Sequence, residues 1–159
     1  MGYTVKDILQ IAITSEAEAQ TFYLHLKNKT DQYFLKEQIA GLAEEEGRHK
    51  NAIAALMKRK GVSATVSSER MESLELPSLA FDPEKSLSEL FELAKGGEDA
   101  ARRFYASLAE VVEGAEESAL LRYLSEMEAS HFHLLDAELT AIKHFERFDD
   151  FNEMMHAGP

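Results

Sequence analysis

The chain has 159 residues, of which 45% are hydrophobic and 29% charged, a composition typical of a globular domain rather than a disordered segment. Its 29 acidic and 17 basic residues give a net charge of −12, so we expect it to bind neither nucleic acid nor an anionic membrane surface. The absence of cysteine excludes disulfides, thiolate metal sites, iron–sulfur clusters and thiol catalysis.

The length predicts a single domain over residues 1–159. No apolar run approaches the roughly 18 residues that a membrane-spanning helix needs. The N-terminal residues show no basic segment followed by an apolar one, as a signal peptide would. We therefore expect a cytoplasmic protein.

Two long stretches without proline are rich in Ala, Leu, Glu and Lys, and their apolar residues recur three or four positions apart. This pattern predicts α-helices and no strands. Thr4 with Asp7, and Ser86 with Glu89, have the spacing of N-terminal capping boxes. Gly61 stands where a glycine terminates a helix. The predicted helices span residues 5–28, 31–60, 87–112 and 116–145.

The helical period is lost between residues 61 and 85, where Ser, Thr and Pro become frequent. This segment is too long for a simple turn but long enough to cross a bundle of helices about 38 Å in length. The prediction is an all-α four-helix bundle, in which a crossover joins two antiparallel helical hairpins. The apolar residues of segment 71–81 indicate packing of this crossover or a dimer contact. The tail, 146–159, is expected to form a short packing helix or to fray.

The two halves of the chain align without a gap when the sequence is shifted by 82 residues. This period fits a duplicated helical hairpin. Glu18 and Glu45 align with Ala100 and Met127, which argues against placing either glutamate in a symmetric site. The shift superimposes four pairs of polar residues: Glu16 on Glu98, Glu46 on Glu128, His49 on His131, and Tyr23 on Tyr105.

Each Glu-x-x-His pair lies on one helix face, because residues three apart are neighbours on a helix. The four repeated glutamates stand at similar heights, roughly 20–24 Å from the hairpin turns. They should therefore meet near the middle of the bundle. Four buried carboxylates would be very costly alone, but two divalent cations would balance their charge. Carboxylate and imidazole ligands without thiolate suit iron, manganese or zinc.

The combined motif resembles the di-iron domain of the rubrerythrin family over residues 4–145, nearly the whole chain. In each half, one helix carries Glu-x-x-Ala-x-x-Phe-Tyr, beginning at Glu16 or Glu98, and the next helix carries Glu-x-x-His. The resemblance implies a ferritin-like bundle with two iron ions, for which manganese or zinc could substitute. It also implies an oxidoreductase that reduces hydrogen peroxide or oxygen and protects against oxidative stress.

The resemblance also implies roles for eight residues, all of which would act through the metals. Glu46 and Glu128 would be the bridging carboxylates. The full set of metal ligands would be Glu16, Glu46, His49, Glu98, Glu128 and His131. Tyr23 and Tyr105 would donate hydrogen bonds to ligand carboxylates.

Two departures from the family pattern leave other functions open. The chain lacks the cysteines of a rubredoxin-like domain, so electrons must come from a separate donor protein. Ala101 stands where rubrerythrins often carry an extra glutamate that takes part in a redox-linked ligand switch. The remaining symmetric ligand set also resembles bacterioferritin-like ferroxidase centres. Iron storage or ferroxidation and a non-catalytic metal-binding module are therefore alternatives. The crossover favours a homodimer over a cage.

Overall fold

The computed structural model describes residues 3–59, 65–66 and 76–157. Two strands of two residues each, β1 (Tyr3–Thr4) and β2 (Thr65–Val66), pair in an antiparallel ladder. A 3₁₀ turn at Lys27–Lys29 follows the first helix. The four long helices are α1 (Val5–Leu26), α2 (Tyr33–Met57), α3 (Leu87–Val111) and α4 (Ala115–His156).

The predicted all-α four-helix bundle is confirmed. Most contacts between helices join α1 to α2 and α3 to α4, so the bundle consists of two hairpins. Sequence reasoning missed the two-residue ladder, which ties the N-terminus to the crossover. In the described ranges, no helix has the length and apolarity needed to cross a bilayer.

Several predicted helix ends were wrong. Helix α1 ends at Leu26, where the chain tightens into the 3₁₀ turn, and α2 spans Tyr33–Met57 rather than 31–60. Gly61 lies outside the described residues. The largest error concerns α4, which continues to His156 instead of ending at residue 145. Neither glycine nor proline interrupts the sequence between 115 and 157, so nothing stops this helix before its tail.

Both predicted capping boxes are present. Thr4 Oγ1 accepts a hydrogen bond from the Asp7 backbone N–H (3.1 Å), and the Asp7 carboxylate accepts one from the Thr4 N–H (2.9 Å). At α3 the corresponding distances for Ser86 and Glu89 are 3.2 and 2.7 Å. Hydrogen bonds from the Thr4 hydroxyl (2.6 Å) and backbone N–H lower the pKa of Asp7, and the bond from the Ser86 backbone N–H lowers that of Glu89, because these donors favour the ionised carboxylates.

The core consists of two apolar clusters, one toward each end of the bundle. One cluster contains the start of α1 and the end of α2, and the other contains the end of α1 and the start of α2, as expected for an antiparallel hairpin. Apart from one tyrosine in each, the large side chains of the first are Ile8, Leu9, Ile53, Leu56, Phe104, Leu108, Leu121 and Leu124, and those of the second are Phe22, Leu26, Leu35, Ile39, Leu42, Leu90, Phe91, Leu135 and Leu139.

The described part of the crossover packs on the bundle. Leu76 contacts the first apolar cluster, while Leu79 and Phe81 contact the second. The Phe81 ring also stacks on His25, with centroids 5.4 Å apart. The crossover packing expected from the sequence is therefore present at these three positions. Residues 71–75 of the same segment lie outside the described residues.

We predict that Ser86→Ala lowers the free energy of unfolding by about 1 kcal/mol, since it removes the cap of α3. Ser107→Ala is a matched control, because Ser107 is exposed inside the same helix. Alanine is the better helix former there, so the control should be neutral or stabilising by a few tenths of a kcal/mol. Urea unfolding of both variants tests this, and equal losses would contradict the role of the cap.

Candidate metal centre

The structure brings together all six residues that the repeat selects. Each of the four helices contributes a glutamate, and α2 and α4 each add a histidine one turn later. All six side chains are at most 5% exposed, although each is polar or charged: Glu16, Glu46, His49, Glu98, Glu128 and His131. They form a polar layer between the two apolar clusters.

The six residues form two overlapping groups that share Glu46 and Glu128. One group adds Glu16 and His49, and the other adds Glu98 and His131; in each, four ligand atoms lie within 4.8 Å of one another. The sharing of two carboxylates is the arrangement that bridging ligands require. The bridging role of Glu46 and Glu128 stays a prediction that this geometry supports.

The two histidines point the same ring nitrogen, Nδ1, into the cluster. His49 Nδ1 lies 3.0 Å from Glu128 Oε1 and 3.3 Å from Glu46 Oε2. His131 Nδ1 lies 3.1 Å from Glu46 Oε1 and 3.2 Å from Glu128 Oε2. The rings are nearly parallel, at an interplanar angle of 15° with centroids 5.5 Å apart. The pseudo-two-fold symmetry of the sequence is thus preserved around the shared carboxylates.

Five buried polar atoms of this cluster make no properly oriented hydrogen bond within the described part of the chain, although oppositely charged atoms lie close by. They are Glu46 Oε1, His49 Nδ1, both carboxylate oxygens of Glu128, and His131 Nδ1. Such atoms are costly to bury without a partner. A cation between them would satisfy all five. Carboxylate and imidazole donors fit iron, manganese or zinc, so the residues present suit the expected metals.

Each of the two tyrosines donates a hydrogen bond to a glutamate of the other hairpin. Tyr23 on α1 donates a hydrogen bond to Glu98 on α3, and Tyr105 on α3 donates one to Glu16 on α1. Burial and the neighbouring carboxylates raise the pKa of both phenols well above the usual value. Both tyrosines therefore remain protonated donors. The contacts that the resemblance implied for them are present.

The metal-free cluster holds protons in place of cations. Burial, together with the nearby Glu98 and Glu128, raises the pKa of Glu46, and burial raises that of Glu98 to about 7. Burial opposes protonation of His49, but the close contacts of Nδ1 with the carboxylates of Glu128, Glu16 and Glu46 outweigh it and raise its pKa to about 12. The pKa of His131 is raised by the same kind of contacts. Burial raises the pKa of Glu128, but its close contacts with the two histidines outweigh burial and lower it.

Glu45 contacts the cluster, which sequence reasoning missed. The repeat argued against it because its counterpart is Met127, yet Glu45 Oε2 lies 2.6 Å from His131 Nε2. The contact joins α2 to α4, so no helical spacing within one element could have revealed it. Glu18 belongs to neither ligand group, and its carboxylate accepts a hydrogen bond from Ser78 Oγ (3.3 Å).

A cavity of about 20 Å³ opens beside the four glutamates. It has room for one or two molecules the size of water. Ala19 and its counterpart Ala101 lie on its wall, and Leu76 and Leu79 of the crossover line it from the outside. The polar cluster is therefore reached through a small, largely apolar space between α1 and α3.

Comparison with known proteins finds one matching family model and similar solved structures. The sequence model of the Rubrerythrin family matches residues 7–139. A hypothetical protein from Pyrococcus furiosus is 31% identical, with a TM-score of 0.74, over 90% of this chain and 92% of its own. A Thermotoga maritima structure provisionally named as a ferritin-like diiron-carboxylate protein is 18% identical, with a TM-score of 0.77, over 87% of this chain and 96% of its own. None of the curated proteins compared with the sequence matches it.

We predict that the metal-free protein loses stability as the pH rises from 5 to 8. Glu46, Glu98 and His49 have raised pKa values, so the folded chain holds protons that the unfolded chain has released. For each proton held only by the folded chain, a rise of one pH unit lowers the free energy of unfolding by about 1.4 kcal/mol. The lowered pKa of Glu128 acts only below its ordinary value of 4.5, outside this window.

Urea unfolding at pH 5 and pH 8, with and without Fe²⁺ under anaerobic conditions, tests this dependence. Metal should restore the stability at pH 8, because it binds the folded state. Glu98→Gln should flatten the pH dependence, whereas Glu113→Gln, an exposed control, should leave it unchanged. A metal-free protein that is equally stable at both pH values would contradict the prediction.

Proposed function

The chain belongs to the rubrerythrin family, and from this premise we propose that it is a non-haem di-iron oxidoreductase that reduces hydrogen peroxide. The observation that carries the proposal is the pair of overlapping ligand groups, which share two buried carboxylates and leave five polar atoms without hydrogen bonds. We propose as ligands the six residues of the cluster: Glu16, Glu46, His49, Glu98, Glu128 and His131.

When bound, two Fe²⁺ ions would supply the two electrons that, with two protons, convert one hydrogen peroxide molecule to two molecules of water. Four ionised carboxylates would balance the charge of two divalent ions, which would lower the free-energy cost of burying the centre. The buried imidazoles offer neutral nitrogen donors once they have released their protons. Metal loading should therefore release protons from the cluster.

The tyrosines hold the two outer carboxylates in place. Because Tyr23 and Tyr105 stay protonated, each donates a fixed hydrogen bond to a glutamate of the other hairpin. A carboxylate held in this way cannot rotate freely, so Glu16 and Glu98 keep one oxygen directed at the cluster. The crossed arrangement also couples the two hairpins across the centre.

The apolar wall of the cavity limits the size of the oxidant. With a volume of about 20 Å³, the cavity admits hydrogen peroxide or oxygen but not a bulky organic hydroperoxide. Leu76 and Leu79 lie on its outer side, so the crossover contributes to this selection.

Electrons would come from a separate donor protein, since a chain without cysteine cannot hold the one-iron, four-cysteine centre of rubredoxin-like domains. The donor would return one electron to each iron after each turnover. We propose that this cycle operates in the cytoplasm and protects the cell from peroxide.

A second candidate is ferroxidation with iron storage, and Ala101 favours it. Ala101 lines the cavity, where a longer acidic side chain would reach the cluster. Without that extra carboxylate, the ligand set is symmetric and lacks the residue that could move with redox state. In this case oxygen would be the oxidant and Fe²⁺ the substrate, and the iron would leave the centre after oxidation.

We predict that the anaerobic di-ferrous protein is oxidised faster by hydrogen peroxide than by oxygen at equal concentration. Stopped-flow absorbance gives both rates. Glu46→Gln should abolish both reactions, while Glu44→Gln, an exposed neighbour, should preserve them. An oxygen reaction that is as fast or faster, followed by release or mineralisation of iron, would establish the ferroxidase function instead. Unreactive protein that still binds two metal ions would indicate a non-catalytic metal-binding module.

A further inference from the structure

The contact between Glu45 and His131 breaks the symmetry of the centre. Glu45 Oε2 lies 2.6 Å from His131 Nε2, the ring nitrogen that faces away from the cluster. Within the described part of the chain, no carboxylate oxygen lies within 4.0 Å of the corresponding nitrogen of His49. The repeat explains the difference, since the counterpart of Glu45 is Met127, which cannot accept a strong hydrogen bond.

A carboxylate on the outer nitrogen of a metal-binding histidine has a known physical effect. It holds the proton on Nε2, which leaves the Nδ1 lone pair free for the metal. It also makes Nδ1 a stronger base and prevents the ring from rotating. His131 has this support: its own side chain is 3% exposed, while that of Glu45 is 37% exposed, so the contact lies at the edge of the buried cluster. His49 has carboxylate contacts only at Nδ1, the nitrogen that faces the cluster, within the described part of the chain.

We propose that Glu45 is a positioning residue that makes the two metal positions inequivalent, so that the position next to His131 fills first. This inference rests on the proposed metal centre and deepens it. Loss of such a support typically costs about 10- to 100-fold in metal affinity. A chain whose two halves supply the same ligands thus acquires one tight and one weaker position.

Titration of the metal-free protein with Zn²⁺ tests the inference without any enzymatic readout. Competition with a chromophoric chelator gives the affinity of each step, and imidazole ¹H–¹⁵N NMR shows which histidine binds first. Repulsion between two cations separates the steps in any such cluster, so the order of filling and the effects of the variants decide the question. In the natural protein, the His131 resonances should change at the first equivalent and those of His49 at the second.

The repeat supplies matched variants. Glu45→Met copies the other half of the chain, and it should weaken the first step about 10- to 100-fold and make both histidines respond together. Met127→Glu should strengthen the weaker step. Glu45→Gln, which keeps a hydrogen-bond acceptor, should fall between the natural protein and Glu45→Met, and Glu44→Gln should change nothing.

Three results would overturn the proposal: His49 filling first, both histidines responding together in the natural protein, or an unchanged first step in Glu45→Met. Two ions bound without an order of filling would leave the di-iron function intact and refute only the role of Glu45. A chain that binds no Zn²⁺, Mn²⁺ or Fe²⁺ would refute the metal centre as well.

An independent inference concerns the C-terminal arm, defined as residues 144–156 of α4, all of which are exposed. Lys143, just before the arm, still contacts Glu92 of α3. Five large apolar side chains of the arm are 60–76% exposed: Phe145, Phe148, Phe151, Met154 and Met155. Four of them, at positions 145, 148, 151 and 155, share one helix face, while the acidic residues of the arm occupy the opposite face.

We propose that the arm pairs with the arm of a second copy of this chain. Large side chains of this kind bury 150–250 Å² each when fully covered, and those of the shared face are 60–67% exposed, so two arms would remove on the order of 1,000 Å² from water, the lower end for a specific interface. The acidic polar face argues against a lipid surface, which favours basic helices.

Light scattering coupled to size exclusion tests the arm in the full-length chain. The natural protein should be a dimer, and Phe148→Glu should be a monomer with unchanged helicity. Glu146→Gln, on the opposite face, should remain a dimer. A monomeric natural protein, or a dimer that survives Phe148→Glu, would refute the pairing.

Discussion

The structure depends on the burial of four carboxylates and two imidazoles in the centre of an apolar bundle. Such groups are too costly to bury without compensation, and neither the histidines nor the tyrosines satisfy every polar atom. The two apolar clusters on either side stabilise the bundle enough to tolerate this layer. The raised pKa values of Glu46, Glu98 and His49 favour protons in the metal-free cluster, and cations of matching charge would remove the cost of burial. The fold and the proposed chemistry are therefore linked through one electrostatic constraint.

The sequence predicted the helices and the polar layer because both leave periodic signals. Heptad-like spacing, capping boxes and an 82-residue repeat depend on local geometry and on duplication, which a single chain displays. Helix ends were less predictable, since α2 stops at Met57 without a glycine at its described end. The length of α4 was missed because the tail, 146–159, suggested a short separate helix or a frayed end, although neither glycine nor proline occurs in it before Gly158. Contacts between elements, such as Glu45 with His131 and the β1–β2 ladder, leave no periodic signal.

The two halves of the chain agree at the residues of the central cluster and differ at positions around it. The six central residues and both tyrosines obey the two-fold symmetry, because a change in any of them would leave a buried charge or hydroxyl without its partner. The surrounding positions are free to differ, as Glu45 and Met127 do. Such differences would make the two metal positions of a symmetric pair of hairpins inequivalent, as proposed for Glu45. The crossover differs from the two hairpins in having no counterpart in the repeat, and its Leu76 and Leu79 line the cavity beside the centre.

The most direct test of this account is anomalous X-ray diffraction at the iron edge from crystals of the iron-loaded protein. The account predicts two peaks about 3.5–4 Å apart. Glu46 and Glu128 should lie between the two peaks, and the Nδ1 atoms of His49 and His131 should each contact one of them. Density without peaks inside the bundle, or with iron bound only at surface carboxylates, would contradict the central claim that the buried cluster is a two-metal centre.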